Sequence, residues 1–370
     1  MIRVLVVSGA LLMSHAGDAA PLPPSLRAGP PPGLPVIIAH RGASAERPEH
    51  TLLAYERAIE EGADFIEPDL VATKDHRLVA RHENEISGTT DVADKPEFAG
   101  RKRTQMIDGE SVTGWFTEDF TLAELKTLRA RERLPQLRPA NTAFDGQAAI
   151  PTLEEIIALA KAASARTGRV IGIYPETKHP THFQKIRLPL EPVLLAALAS
   201  AGWTSANDPV FIQSFEVDNL KALRGQTEVR LVQLMAPEGA SADGYSYADM
   251  RSAAGLAKVA NYADAIGPER GLIIPRDKDG VLGAPTSLVA DAHYAGLEVH
   301  PWTFRPENFF LAARFRQGAN PVARGDAEAE IRLYLEAGID GVFSDSPAAA
   351  AAAIGPGQPR SPSGDNRPGN

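Results

Sequence analysis

Cysteine is absent from all 370 residues. Its absence excludes disulfides, thiolate metal sites and the lipid-anchored kind of export signal. Basic excess is lacking too. The formal net charge is -9, which argues against a nucleic-acid partner, because such binding rests on Lys and Arg neutralising phosphates. Any phosphate bound here should be small and held locally. The apolar run from Val4 to Met13 is too short to span a bilayer, so no stable membrane insertion is expected.

What is present begins with a leader. Arg3 supplies a positive end, Val4 to Met13 an apolar run, and the small residues of 16–20 a cleavage region, so residues 1–20 read as a secretory signal peptide. An apolar N-terminal strand is the alternative, and the Pro-rich 21–34 that follows, read as a linker, argues against it. Export without disulfides suits a bacterial periplasm or the exterior. At the far end, 355–370 reads as a disordered tail by composition. A hydrophobic content of 44% leaves 35–354 enough apolar material for a sizeable core.

Within 35–354, short apolar runs alternate with amphipathic helical stretches, the pattern of a parallel sheet covered by helices. Eight such runs occur: Pro35–His40, Ala63–Leu70, Arg169–Glu176, Pro209–Phe215, Val229–Met235, Ala263–Pro268, Leu297–Phe304 and Asp340–Asp345. Eight strands with intervening helices such as "HTLLAYERAIEEG" and "TLEEIIALAKAAS" predict a (β/α)8 barrel with its working groups at the C-terminal strand ends. "RLVARH", Arg77–His82, follows the second run across a tight polar turn and must fold back antiparallel as a hairpin arm. From about 83 to 150 the alternation lapses into a polar stretch with one short helix in "TLAELKTLRAR", read as an inserted cap over the mouth.

Glu67 and Asp69 stand two apart on one strand and so share a face. Inside a barrel that is an electrostatic cost unless a cation neutralises them. Glu176, ending the third strand, supplies a third carboxylate, and three carboxylates without Cys favour Ca²⁺ or Mg²⁺ over zinc. His40 and His82 end the first strand and the hairpin arm, where two imidazoles suit proton transfer near neutral pH. Arg41 and Lys178 are fixed cations suited to phosphate oxygens. Two histidines, two cations and a metal are what cleavage of an anionic phosphodiester requires. Trp302, sharing a face with His300, reads either as an apolar pocket wall or as core. His179 and His182 read as surface loop rather than metal ligands, and His15 and His76 carry no role.

Taken together, "AHRGAS", "PEHT", "EPDLVATKD", "RHE", "YPETK", "IQSF", "VHPWT" and "GVFSDSP" resemble the glycerophosphodiester phosphodiesterases, especially their periplasmic bacterial branch. The resemblance covers nearly the whole chain after the leader. It implies hydrolysis of substrates such as glycerophosphocholine or glycerophosphoethanolamine to sn-glycerol 3-phosphate and an alcohol. It assigns catalysis to His40 and His82, metal binding to Glu67, Asp69 and Glu176, and phosphate contact to Arg41 and Lys178, with calcium as the expected ion. His50, where the commoner family pattern has Asn, is expected near the mouth as a substrate contact, and Glu83 stands where Asp is usual. Which histidine is acid and which base, and whether water or the substrate's own hydroxyl attacks phosphorus, stays open. Two other readings compete. An inactive barrel acting as a periplasmic or surface binding protein should have lost a catalytic or metal residue, and none is lost. A lysophospholipase D-like enzyme should carry an apolar or basic docking rim, whereas 83–150 is polar with scattered aromatics such as Trp115, Phe116 and Phe120.

Overall fold

The computed structural model describes residues 33–355. The expected leader, all but two residues of the expected linker, and the expected tail beyond Gly355 lie outside the described residues.

Thirteen strands are described. They are β1 (Val36–His40), β2 (Phe65–Glu67), β3 (Asp69–Ala72), β4 (Leu78–Ala80), β5 (Arg103–Ile107), β6 (Glu110–Gly114), β7 (Gly172–Ile173), β8 (Glu176–Thr177), β9 (Phe211–Ser214), β10 (Arg230–Met235), β11 (Ala265–Pro268), β12 (Glu298–Val299) and β13 (Gly341–Ser344). One sheet runs β13-β1-β2-β7 and another β12-β11-β10-β9-β8-β3-β4. The two sheets share broken strands. β2 and β3 flank Pro68, and β7 and β8 flank Pro175, because proline has no N–H to give a ladder. Joined across those prolines, the eight parallel strands form the barrel expected from the alternation. Past β12, the Asp340 N–H donates to Val299 O at 2.9 Å and the Phe304 N–H to Phe343 O at 2.8 Å, which closes the ring.

Four sequence expectations shift. The second and third runs are each split by their proline, and the seventh keeps only Glu298–Val299 in ladder geometry because Pro301 interrupts it. The short helix is confined to Leu122–Leu125, set by a Thr121–Glu124 capping box. Flanking helices start where capping chemistry allows: Thr51 accepts from the Ala54 N–H ahead of Leu52–Glu60, and a Thr152–Glu155 box opens Leu153–Thr167.

Inside the barrel, Ile38, Phe65, Tyr174, Phe211, Val232 and Phe343 contribute to one layer, with Tyr174 stacked on Phe211 at 4.8 Å. The main core lies outside the strands, between them and the helices. β4 pairs antiparallel with β3, Leu70 opposite Ala80, which returns His82 toward the end of the barrel carrying Asp69. The segment 83–150 holds the β5–β6 hairpin, and its aromatics Trp115, Phe116 and Phe120 are buried, anchoring it rather than facing lipid. Among the described residues, no helix is long and apolar enough to cross a membrane.

Candidate active site

The broken strands deliver the carboxylates. Glu67 ends β2, Asp69 opens β3, and Glu176 opens β8 as the register partner of Asp69. One oxygen from each lies within 4.8 Å of the others, and all three residues are buried. Burial, reinforced by the neighbouring Asp69 and Glu176, pushes the Glu67 carboxyl well above its usual range. Burial raises Glu176 to about 8 against the pull of Lys178. Asp69 moves the other way, because Lys178, His82 and His50 outweigh its burial. Charge is therefore crowded here beyond what the flanking cations balance, and the donors are hard oxygens only. These residues fit a hard divalent cation, and Glu67, Asp69 and Glu176 would hold it.

His40 sits opposite Glu67 in the β1–β2 register. Its Nδ1 lies 2.6 Å from Asp345 Oδ1. A carboxylate only accepts, so the imidazole proton sits on Nδ1 and the Nε2 lone pair is left free. His82 repeats the arrangement: Nδ1 contacts Glu83, and Nε2 lies 3.3 Å from Lys178 Nζ. Burial and the Arg41 charge lower His40 to about 4. Burial, Arg41 and Lys178 lower His82 to about 3. Both rings are neutral at pH 7, as a base must be.

The cations stand between these groups. Arg41, at φ 61, turns so that its N–H donates to Glu67 at 2.8 Å while Nη1 reaches Glu49 at 3.0 Å and Nε lies 3.5 Å from Asp69. Lys178 Nζ pairs with Glu176 at 2.9 Å. A cavity of about 380 Å³ opens beside Glu176 and Lys178, lined also by Phe215, Glu216, Ser241 and Tyr247.

The structure thus brings His40, His82, Arg41, Lys178, Glu67, Asp69 and Glu176 together. His50 is placed differently from its expected role. It is 0% exposed, its Nε2 meets Asp69 at 2.8 Å and its Nδ1 meets the Tyr55 hydroxyl at 2.9 Å, so it faces the carboxylate rather than the mouth. Trp302 is half-buried, donates from Nε1 to Gly267 O at 2.8 Å and packs edge-on to Phe215, 5.8 Å between rings, so it backs the cavity wall. His300 is core, bonded to Tyr174 at 2.8 Å. His179 and His182 pair with Asp108 and Glu118.

Sequence reasoning left other groups unassigned. Asp345 orients His40 and is itself held by Arg138 at 2.5 Å and Arg305 at 3.1 Å. Gln213 donates to Glu67 at 3.0 Å. Glu83 and Glu49 both take bonds from Arg133. Asp345 and Gln213 stand in strand-end motifs and were findable by position, whereas Arg133 and Arg138 sit in irregular chain with no local signal.

Residues 40–349 match the family described as the glycerophosphoryl diester phosphodiesterase family. The chain is similar to a glycerophosphodiester phosphodiesterase of Arabidopsis thaliana, 38% identical over 326 residues that cover 84% of this chain and 83% of that protein. It is also similar to a glycerophosphodiester phosphodiesterase of Haemophilus influenzae, 31% identical over 340 residues, 84% of this chain and 87% of that one. Among solved structures, an Oleispira antarctica phosphodiesterase in complex with the product sn-glycerol-3-phosphate shares the fold, with TM-score 0.56, 20% identity, and 87% and 97% of the two chains covered.

Proposed function

From a chain that belongs to the glycerophosphoryl diester phosphodiesterase family and is a glycerophosphodiester phosphodiesterase, we propose a metal-dependent His40/His82 acid–base hydrolysis. Its products are sn-glycerol 3-phosphate and an alcohol such as choline or ethanolamine. The observation that carries the reading is the pairing of each imidazole Nδ1 with a carboxylate, Asp345 or Glu83, which turns both Nε2 lone pairs toward the site beside the three-carboxylate cluster, that of His40 free and that of His82 facing Lys178 Nζ at 3.3 Å.

Arg41 and Lys178 meet the phosphate oxygens and offset the charge that repels a nucleophile. One neutral histidine takes the proton of the nucleophile, either water directly or the substrate's own hydroxyl followed by water opening the cyclic phosphate. The other, protonated as the anionic substrate raises its affinity for a proton, delivers it to the leaving oxygen. Calcium held by Glu67, Asp69 and Glu176 would supply further charge neutralisation and phosphoryl polarisation. Asp345 and Glu83 hold each ring in one tautomer and stabilise the imidazolium when it forms.

We further place the enzyme in a bacterial periplasm or outside the cell, on the strength of the leader, and read 83–150 as a cap over the mouth. N-terminal sequencing of protein secreted by a bacterial host checks the leader: an intact Met1 there would refute it.

The function is tested by incubating the purified protein with glycerophosphocholine, with calcium or with chelator, and following glycerol 3-phosphate. Product should appear with calcium and fall at least tenfold with chelator. Absence of product under both conditions refutes the reading, and a fully active His82→Ala variant removes the acid–base assignment.

A further inference from the structure

We infer that one irregular loop, 131–138, positions both proton-transfer histidines, with Arg133 bracing His82 and Arg41 while Arg138 braces His40. The inference rests on the His40/His82 reading above.

Arg133 spans two carboxylates with one guanidinium. Its Nε and Nη2 donate to the two oxygens of Glu49 at 2.8 and 2.6 Å, and its Nη1 and Nη2 donate to those of Glu83 at 3.1 and 2.7 Å. Glu83 contacts His82 Nδ1, and Glu49 accepts from Arg41 Nη1 at 3.0 Å. An unbroken chain of charge-assisted bonds therefore runs His82–Glu83–Arg133–Glu49–Arg41. Five residues on, Arg138 donates from Nη2 to Asp345 at 2.5 Å, from Nε to Glu307 at 2.7 Å and from Nη1 to Ser44 O at 2.8 Å. Asp345 in turn holds His40 Nδ1.

The loop has no ladder of its own to hold these geometries. Its shape is fixed instead by Glu132, which accepts from the Leu134 N–H at 2.7 Å and the Asn141 amide at 2.9 Å while its own N–H donates to Asp145 at 2.7 Å. Lysine carries its three donors on one nitrogen where arginine offers a planar fork, so it cannot reproduce the paired bonds to both oxygens of each carboxylate. Both arginines are positioning residues, acting through Glu83, Glu49 and Asp345 on groups that meet the substrate. A loop serving only to fasten 83–150 to the barrel would need neither the aim at the histidines' partner carboxylates nor the shared guanidinium.

Arg133→Lys, Arg133→Ala and Arg138→Met are assayed beside His82→Ala, with melting temperatures recorded for each. Arg138→Met should lower kcat by roughly 10–100-fold with KM nearly unchanged, because its chain ends on His40. Arg133→Lys should lower kcat to a similar extent, roughly 10–100-fold, and also raise KM, because its chain ends on His82 and on Arg41. Guanidinium chloride at non-denaturing concentration, against matched potassium chloride, should restore part of the kcat of Arg133→Ala, since the Arg133 side chain is 26% exposed and its site can be reached from solvent. If Arg133→Ala does not fold, Arg133→Lys, which keeps the charge, decides alone. Both kcat values within about twofold of the parent overturn the inference, as does a folded Arg133→Ala that guanidinium leaves unchanged. An active His82→Ala would instead refute the acid–base reading itself, while an inactive His82→Ala with unimpaired arginine variants refutes only the role of the loop.

Discussion

Stripping divalent ions and then restoring calcium should produce a measurable release of protons, and its size follows from the carboxylate spacing. Glu67, Asp69 and Glu176 offer oxygens within 4.8 Å of one another. At an effective dielectric of about 20, each charged pair at that separation costs about 3 kcal/mol, roughly 10 kcal/mol for three pairs before Arg41 and Lys178 offset part of it. The protein without a cation lowers that cost by keeping protons on the cluster, which is why Glu67 is pushed upward and Glu176 sits at about 8 while Asp69 stays ionised. Calcium needs the ionised forms, so its binding at pH 7 should expel about one to two protons per ion. Calorimetry in two buffers of different ionisation heat counts them. At an ion concentration a hundredfold above the dissociation constant, the folded state gains about 2.7 kcal/mol, a rise in Tm on the order of 5 °C for a domain of this size. Glu67→Gln should leave the ion-free Tm nearly unchanged, because the glutamine imitates the protonated acid, and should abolish the calcium response. Heat signals identical in both buffers, together with a Tm indifferent to calcium, would refute the assignment of these carboxylates to a cation.

Burial of His40 and His82 as neutral rings should make their contribution to stability acid-sensitive well before ordinary carboxylates protonate. His40 and His82 titrate at about 4 and about 3 when folded against about 6.5 in an unfolded chain. At these two rings the unfolded state therefore binds more protons below pH 6.5, and their share of the stability falls as pH drops toward 4, by about 3 kcal/mol per histidine or somewhat more, while Glu67 and Glu176, whose folded carboxyls are raised, work in the opposite direction. The histidine share is read as the difference in pH dependence between the parent and a His40→Gln/His82→Gln variant, and urea unfolding energies that run parallel in the two between pH 7 and 4.5 contradict the burial of neutral rings. Asp345→Asn should cut kcat roughly 10–100-fold and lower Tm as well, because an amide oxygen turned to His40 Nδ1 leaves an NH2 facing Arg138 and Arg305 where the carboxylate had accepted from both. An unimpaired variant would show that His40 needs no orienting anion. Gly42 has φ +89, and a Cβ there would meet Ala54 Cβ and C at 2.7 Å. Gly42→Ala should cost about 3 kcal/mol in urea unfolding, and a loss below about 1 kcal/mol would deny that close approach.

The barrel was legible because its evidence is local. Apolar runs spaced by helical stretches carry the sheet's periodicity in contiguous residues, and capping pairs such as Thr152 with Glu155 mark helix starts within four positions. What the pattern could not carry was the interruption of strands. Pro68 and Pro175 stand openly in the sequence, yet reading them as breaks requires knowing which strand faces lack a neighbour to receive an N–H. The breaks matter to the site, because Glu67 and Asp69 flank Pro68 and Glu176 directly follows Pro175.

The site divides along the same line. Residues that end strands could be named in advance, since a barrel collects strand ends at one mouth and their chemistry is unusual for a core. The groups that hold them could not. Asp345 is 305 positions from His40, and Arg138 is 207 from Asp345, so no spacing rule links them. His50 shows the converse hazard. It stands in "PEHT", between the "HRG" and "EPD" strand ends, and was expected at the mouth, but the chain turns at φ 53 and sends the ring inward to Asp69, where Tyr55 from the following helix completes its bonding. Burial rather than proximity decided its role: a ring with both nitrogens satisfied by protein has none left for substrate, and what it contributes is the orientation of a carboxylate at the centre of the cluster.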